Sequence, residues 1–142
     1  VGLALLGQRV VLADLDLGGA DVHLYSGVKS LVKTWNDFLE RKVDSIKDIM
    51  TPTHFEGLSL IGGDSSKLGS ENLPYSQKRK IMRHLREMQG DYLILDLGGN
   101  SSYNALDFFL FAEKNDSRLT VIVLKQDLPA LRHRRVDVRY LI

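Results

Sequence analysis

The chain contains no cysteine among its 142 residues, so disulfide scaffolds, thiolate zinc sites and cysteine-ligated iron–sulfur clusters are excluded within it. Its net charge is small, formally +1 at pH 7, which gives no indication of a nucleic-acid or membrane partner. No apolar run approaches the roughly 20 residues of a membrane-spanning helix, and no signal peptide is visible. The hydrophobic and charged fractions, 44% and 26%, fit one globular domain over residues 1–142, which we expect to be cytoplasmic.

Motifs for zinc binding and for nucleophilic catalysis are also missing. The four histidines, at positions 23, 54, 84 and 133, do not have the spacing of metal ligands. No Gly-x-Ser-x-Gly sequence indicates a hydrolase nucleophile. The basic run at residues 78–80 falls on a predicted helix, where a solvated face is more common than a nucleic-acid surface.

Short apolar runs alternate with helical patterns along the chain. Strands are predicted over residues 10–16, 57–61, 92–96 and 119–124. Helices are predicted over residues 1–6, 35–41, 75–89 and 103–112, with a turn at 51–53 and a loop at 64–74. This alternation predicts an α/β fold with a mostly parallel sheet flanked by helices on both faces. The first helix begins without a capping residue, so we expect further sequence upstream of Val1.

Two of the predicted strands end in carboxylates that are followed closely by a Gly-Gly pair. Asp14 and Asp16 end the first strand, and Asp96 ends the third. Because the carboxyl ends of parallel strands meet at one edge of a sheet, we expect the three acids to share a cleft there. Carboxylates suit Mg²⁺, and a carboxylate can also orient an attacking water. The alternative is structural: Asp96 would cap the next helix, and Asp14 and Asp16 would form a strand-end turn.

The segment Val10–His23 resembles the one that follows the first helix in the MinD/ParA family of deviant P-loop ATPases, above all in its flagellar-number and MinD-like branch. Further matches follow in order at residues 35–39, 49–53, 57–63, 91–99 and 104–110. Several ordered matches are more specific than any single one. The resemblance covers about residues 1–112, and residues 113–142 form a divergent tail.

The resemblance implies an incomplete P-loop NTPase-like domain that binds ATP and Mg²⁺. Asp16 would be the switch I residue that positions the hydrolytic water, and Asp14 would lie beside it near magnesium. Asp96 would be the Walker B acid, also at magnesium, and Gly98 and Gly99 would approach the nucleotide as part of switch II.

The resemblance also implies how such a protein works in the cell. The intact protein would form a homodimer on ATP binding and hydrolyse ATP slowly, together with a protein partner, to position a flagellum, a division site or DNA. Contacts with a membrane or with DNA would come from regions outside these residues, and would make the intact protein peripheral at the membrane.

Three features depart from the family pattern. No GKGGxGKS-type phosphate-binding loop is present in these residues, so we expect this chain alone to be inactive. Asn100 follows the Gly-Gly pair where the family has other switch II sequences. The resemblance ends near Ala112. Residues 1–112 carry 12 basic and 14 acidic side chains, whereas residues 113–142 carry 7 basic and 4 acidic ones. We hypothesise that residues from near Glu113 onward are read out of frame.

A second class of function fits the same departures. A non-catalytic interaction domain would retain the NTPase fold and bind a protein partner without nucleotide. An iron–sulfur carrier of the related Mrp type is disfavoured by the absence of cysteine. A GKGGxGKS-type stretch in the upstream coding sequence would favour the ATPase over the interaction domain.

Overall fold

The computed structural model describes residues 1–17, 19–63, 73–98, 106–108, 110, 121–124 and 138–141. The helices there are α1 (Gly2–Leu5), α2 (Val22–Tyr25), α3 (Trp35–Leu39) and α4 (Tyr75–Arg86), with a 3₁₀ helix at Ile46–Ile49. The strands are β1 (Val10–Asp14), β2 (Thr51–Pro52), β3 (Leu58–Ile61), β4 (Tyr92–Asp96), β5 (Val121–Leu124) and β6 (Val138–Leu141). Residues 106–108 and 110, inside the helix predicted at 103–112, are also helical. Among the described helices, none has both the length and the apolar character needed to cross a membrane.

The strands form one sheet in the order β2-β3-β1-β4-β6-β5. At its centre, β1 pairs in parallel with both β3 and β4. The strands toward the edges, β2 on one side and β6 and β5 on the other, join by antiparallel pairing. The α/β fold class is therefore confirmed, with a sheet that is parallel at its centre and antiparallel toward its edges.

Two apolar clusters cover opposite faces of this sheet. The larger cluster includes Val11, Trp35, Phe38, Ile81 and Leu85. The smaller cluster consists of the buried residues Ala4, Val10 and Leu58. Val10 and Val11 are neighbours on β1 and belong to different clusters, because alternate residues of a strand face opposite sides of the sheet. With both faces covered, the polar residues at the carboxyl edge of β1 and β4 form the candidate site.

Local sequence signals set the helix ends. Gly7 has a φ of 79° and its N–H donates to the Ala4 carbonyl at 2.9 Å, while the Gln8 N–H donates to the Leu3 carbonyl at 3.1 Å. These two bonds are those of a Schellman motif, so Gly7 ends α1 as predicted. The longest described helix, α4, ends at Arg86 rather than at the predicted residue 89.

The turn predicted at residues 51–53 is wrong in part, because Thr51 and Pro52 form β2 against β3. The hydroxyl of Thr53 donates to the Leu58 carbonyl at 3.0 Å and closes the short connection between the two strands. Proline lacks an N–H, but Pro52 lies exposed on the outermost strand of the sheet, where a missing donor is tolerated.

The described residues of the tail form two strands. β5 lies inside the strand predicted at residues 119–124, whereas β6 was not predicted, because residues 132–142 show no clear amphipathic pattern. β6 pairs with both β4 and β5. The out-of-frame hypothesis for the tail stays a prediction.

Candidate functional site

The three predicted acids lie at one edge of the sheet. Asp14 and Asp96 are register partners at the carboxyl ends of the parallel strands β1 and β4. The chain continues this pairing one residue further, where the Leu15 N–H donates to the Asp96 carbonyl at 2.8 Å. Asp16 follows directly in the loop after β1. The structure therefore brings Asp14, Asp16 and Asp96 together, as expected from the strand pattern.

Asp14 is completely buried, and both of its carboxylate oxygens accept backbone hydrogen bonds. Oδ1 accepts from the Asp16 N–H and Oδ2 from the Val22 N–H, each at 3.1 Å. Asp14 thereby fastens both ends of the loop between β1 and α2. Burial raises the pKa of Asp14 to about 7; the Val22 N–H opposes the shift and the Asp96 charge adds to it. These bonds match the strand-end turn considered above, and a contact of Asp14 with magnesium stays a prediction.

Trp35 also holds the carboxyl end of β1 in place. Its indole N–H donates to the Asp14 carbonyl at 2.8 Å, and its backbone N–H donates to the Gly62 carbonyl at 3.0 Å. The side chain is completely buried. Trp35 thus connects the start of α3 to the ends of both β1 and β3. Sequence reasoning missed this role, because an apolar residue at a helix start predicts core packing and not a specific hydrogen bond.

The side chain of Asp16 lies against the glycines of two loops. A Cβ added to Gly98 would lie 2.5 Å from Asp16 Cγ, and a Cβ added to Gly19 would lie 3.1 Å from Asp16 Oδ2. Gly98 also has a φ of 71°, a left-handed backbone that favours glycine. The half-buried Asp16 carboxylate therefore contacts the loop that follows β4.

Asp96 is buried, with 8% of its surface exposed, and its Oδ1 accepts the Gly98 N–H at 3.0 Å. With this bond the chain turns sharply after β4, and Gly98 comes into contact with the Asp16 side chain. Gly99, predicted to approach the nucleotide with Gly98, lies outside the described residues. The nucleotide contact of Gly98 and the roles of Asp16 and Asp96 remain predictions.

The donor set suits a magnesium ion that takes part of its coordination from phosphate. Among the described residues, no group of three or more His, Cys, Asp or Glu side chains could hold a metal ion by itself. Mg²⁺ usually binds through one or two carboxylates, waters and substrate phosphates, and does not need a complete protein cage. Asp96 and Asp16 fit such a partial set better than Asp14, whose two oxygens already accept backbone N–H groups.

Solved proteins resemble this chain in fold, and two of the three described here were solved with an adenine nucleotide and magnesium. The cell division ATPase MinD of Pyrococcus furiosus has a TM-score of 0.60 at 20% identity, over 77% of this chain and 45% of its own. The septum site-determining protein MinD of Pyrococcus horikoshii OT3, solved with Mg-ADP, has a TM-score of 0.60 at 21% identity, over 77% of this chain and 44% of its own. Cobyrinic acid a,c-diamide synthase of Mycobacterium smegmatis, solved with an ATP analogue and magnesium, has a TM-score of 0.53 at 22% identity, over 66% of this chain and 40% of its own.

These similarities show the fold. The chain shares the α/β fold of the two MinD proteins, as its sequence predicted, and it spans less than half the length of each of these three proteins. No family model matches the chain, and no curated protein matches it.

Proposed function

We propose that this chain is part of a MinD/ParA-type ATPase whose intact form binds Mg-ATP and hydrolyses it slowly. The observation that carries the proposal is the packing of the Asp16 carboxylate against Gly98, at the edge where β1 and β4 end together. A water-orienting acid and the loop that senses the γ-phosphate have to meet at such an edge.

Each acid would have a distinct task. Asp16 would accept a hydrogen bond from the attacking water and orient it, a role that needs a positioned carboxylate more than a strong base. Asp96 would hold the magnesium ion, either directly or through water. Asp14 would fix the loop that carries Asp16, through its bonds to the Asp16 and Val22 N–H groups. The bound ion would neutralise charge on the phosphate oxygens.

The proposal requires a phosphate-binding loop. Backbone N–H groups and lysines of such a loop supply most phosphate contacts, whereas carboxylates alone repel a triphosphate. The 142 residues contain no GKGGxGKS-type stretch, so sequence outside them would have to supply it.

For the cellular role we propose flagellar placement first, and partitioning of DNA or placement of a division site second. The support is the ordered resemblance over about residues 1–112, strongest in the segment 10–23. ATP-dependent homodimerisation, a protein partner of the positioning system, and membrane or DNA contacts through other regions belong to the same proposal. On this proposal the protein is cytoplasmic, or peripheral at the membrane.

One observation favours a second candidate, a non-catalytic interaction domain with the same fold. Asp14, which would lie near magnesium, uses both carboxylate oxygens to hold the backbone. A fold retained only for binding partners would use Asp14 in this way, as a structural anchor and not as a magnesium ligand.

Asp16→Ala in the full-length protein separates the two candidates. We expect the turnover number to fall about a hundredfold or more, since Asp16 acts mainly in the transition state, while ATP affinity changes little. Asp21→Ala is the matched control, because Asp21 lies in the same loop and its side chain makes no capping bond to α2. Equal loss of binding and turnover would assign Asp16 a structural or metal-holding role. An intact protein without ATPase activity would favour the interaction domain.

A further inference from the structure

The solvent-facing side of α4 is strongly basic. Ser76, Arg79, Lys80, Arg83 and Arg86 line an open groove of about 420 Å³, which we call the basic groove. Arg79, Arg83 and Arg86 follow one another at spacings of four and three residues, so they form a single stripe along the helix. From Arg79 to Arg86 the stripe advances seven residue steps, which corresponds to about 10 Å along the helix axis. Among the described residues, the lining therefore consists of four cations and one hydroxyl.

The two lysines of α4 make contacts with other residues of the chain. Lys78 is buried and forms an ion pair with Asp107. Lys80 donates to the Phe38 carbonyl at 2.9 Å, and its ammonium lies 4.1 Å from the centre of the Phe38 ring. One edge of the groove therefore rests on an aromatic surface, and its exposed cations are arginines.

Arg79 and Arg83 are two cations of the groove that are available to a ligand. Within the part of the chain that the structure describes, neither Arg79 nor Arg83 forms an ion pair. Asp37 and Glu40, in and directly after α3, form ion pairs with Lys42. Burial lowers the pKa of Lys80, and the positive charges of Arg41 and Arg83 lower it further. Like charges held together in this way repel one another, and a bound anion would relieve the repulsion.

We propose that the basic groove binds an acidic segment of a partner protein, with two carboxylates spaced to meet Arg79 and Arg83. Arginine binds carboxylates through two parallel hydrogen bonds, and exposed arginines are enriched at protein interfaces. Arg79 and Arg83 lie about one helical turn apart, so carboxylates on successive turns of a helical partner segment can meet both. This inference does not depend on the nucleotide site.

A protein segment fits the groove better than nucleic acid or a membrane. Nucleic-acid surfaces need a wide basic field, but residues 1–112 carry 14 acidic and 12 basic side chains. Membrane-surface helices insert apolar side chains beside their cations. The apolar residues in the middle turns of α4, Ile81, Met82 and Leu85, are buried in the core and cannot serve for this purpose.

The test uses a fluorescein-labelled oligoglutamate peptide and fluorescence anisotropy with the whole chain. We expect saturable binding that Arg79→Glu/Arg83→Glu weakens about tenfold or more, since each reversal replaces an attraction by a repulsion. The matched control is Lys29→Glu/Lys33→Glu, which changes the net charge equally at two exposed lysines outside the groove. We expect this control to keep the affinity within about twofold. Emission of the buried Trp35 verifies that each variant is folded.

Several outcomes would overturn the proposal. The peptide could fail to bind saturably, or both double variants could lose affinity equally, which would indicate net charge alone. Parallel titrations with a short DNA duplex and with phosphatidylserine vesicles test the other polyanions. If either binds more tightly than the peptide and loses affinity in Arg79→Glu/Arg83→Glu, the partner class is wrong. The milder Arg79→Gln/Arg83→Gln should weaken peptide binding less than charge reversal does.

Discussion

Replacing Gly98 by alanine perturbs the contact on which the candidate site depends. The φ of 71° at Gly98 disfavours alanine by about 1 kcal/mol or slightly more. The new Cβ would also lie 2.5 Å from Asp16 Cγ, and forcing the two apart costs about 1–3 kcal/mol, as in other overpacked sites. Gly98→Ala is therefore expected to lower the free energy of unfolding by about 3 kcal/mol, a large part of the stability of a small domain.

Gly7→Ala is the control that isolates the contact with Asp16. Gly7 has a similar φ, 79°, but nothing lies within 4 Å of an added Cβ. This variant should therefore lose only the backbone contribution, about 1 kcal/mol. The difference between the two variants, about 2 kcal/mol, measures the crowding against Asp16. Adding Asp16→Ala to Gly98→Ala should recover part of that difference, since the Asp16 Cβ would still lie 2.9 Å away.

Urea unfolding followed by tryptophan fluorescence is a suitable assay. The chain has one tryptophan, Trp35, which is buried and bonded to the end of β1. Its emission should therefore report the unfolding of the strand that carries the site. Equal losses for Gly98→Ala and Gly7→Ala, with no coupling to Asp16→Ala, would refute the placement of the Asp16 carboxylate against Gly98.

Two further predictions concern charge and nucleotide. The pKa of Asp14 is about 7 in the fold against a usual 3.8, so between these values the folded state binds a proton that the unfolded chain has released. In buffer with EDTA, the free energy of unfolding should fall as the pH rises from about 4 to about 7. Asp14→Asn should abolish most of this slope, and an unchanged slope would contradict the assignment. Calorimetry of the 142-residue chain with Mg-ATP should give no saturable heat, because the phosphate-binding loop is absent; micromolar binding would mean that the site is misplaced.

Features set by local pattern and by general sheet geometry could be predicted from the sequence. The apolar runs before Asp14 and Asp96 indicated buried parallel strands, and parallel strands end at the same edge. The meeting of the acids follows from those two facts. Gly7 at the end of α1 was predictable for a similar reason, because the signal and its hydrogen bonds lie within a few residues.

Features set by contacts between distant residues could not be predicted. β2 is too short to show a strand period, and it exists because it pairs with β3. The hydrogen bond from the Trp35 indole to the Asp14 carbonyl joins residues 21 positions apart. The packing of Asp16 on Gly98 depends on the course of two loops, which the spacing of the acids does not determine.

Burial separates two acids that the sequence presents as equivalent. Asp14 and Asp16 are two residues apart, yet Asp14 is completely buried with both oxygens bonded to the backbone, whereas Asp16 is half-buried in the loop. A group that orients water has to reach the water, and moving Asp14 outward would break two hydrogen bonds and release the loop that carries Asp16. The same geometry makes Asp14 useful in another way, since a loop held at both ends returns its acid to one position after each turnover. On the proposed ATPase function, Asp16 would therefore carry the chemistry and Asp14 would preorganise its loop.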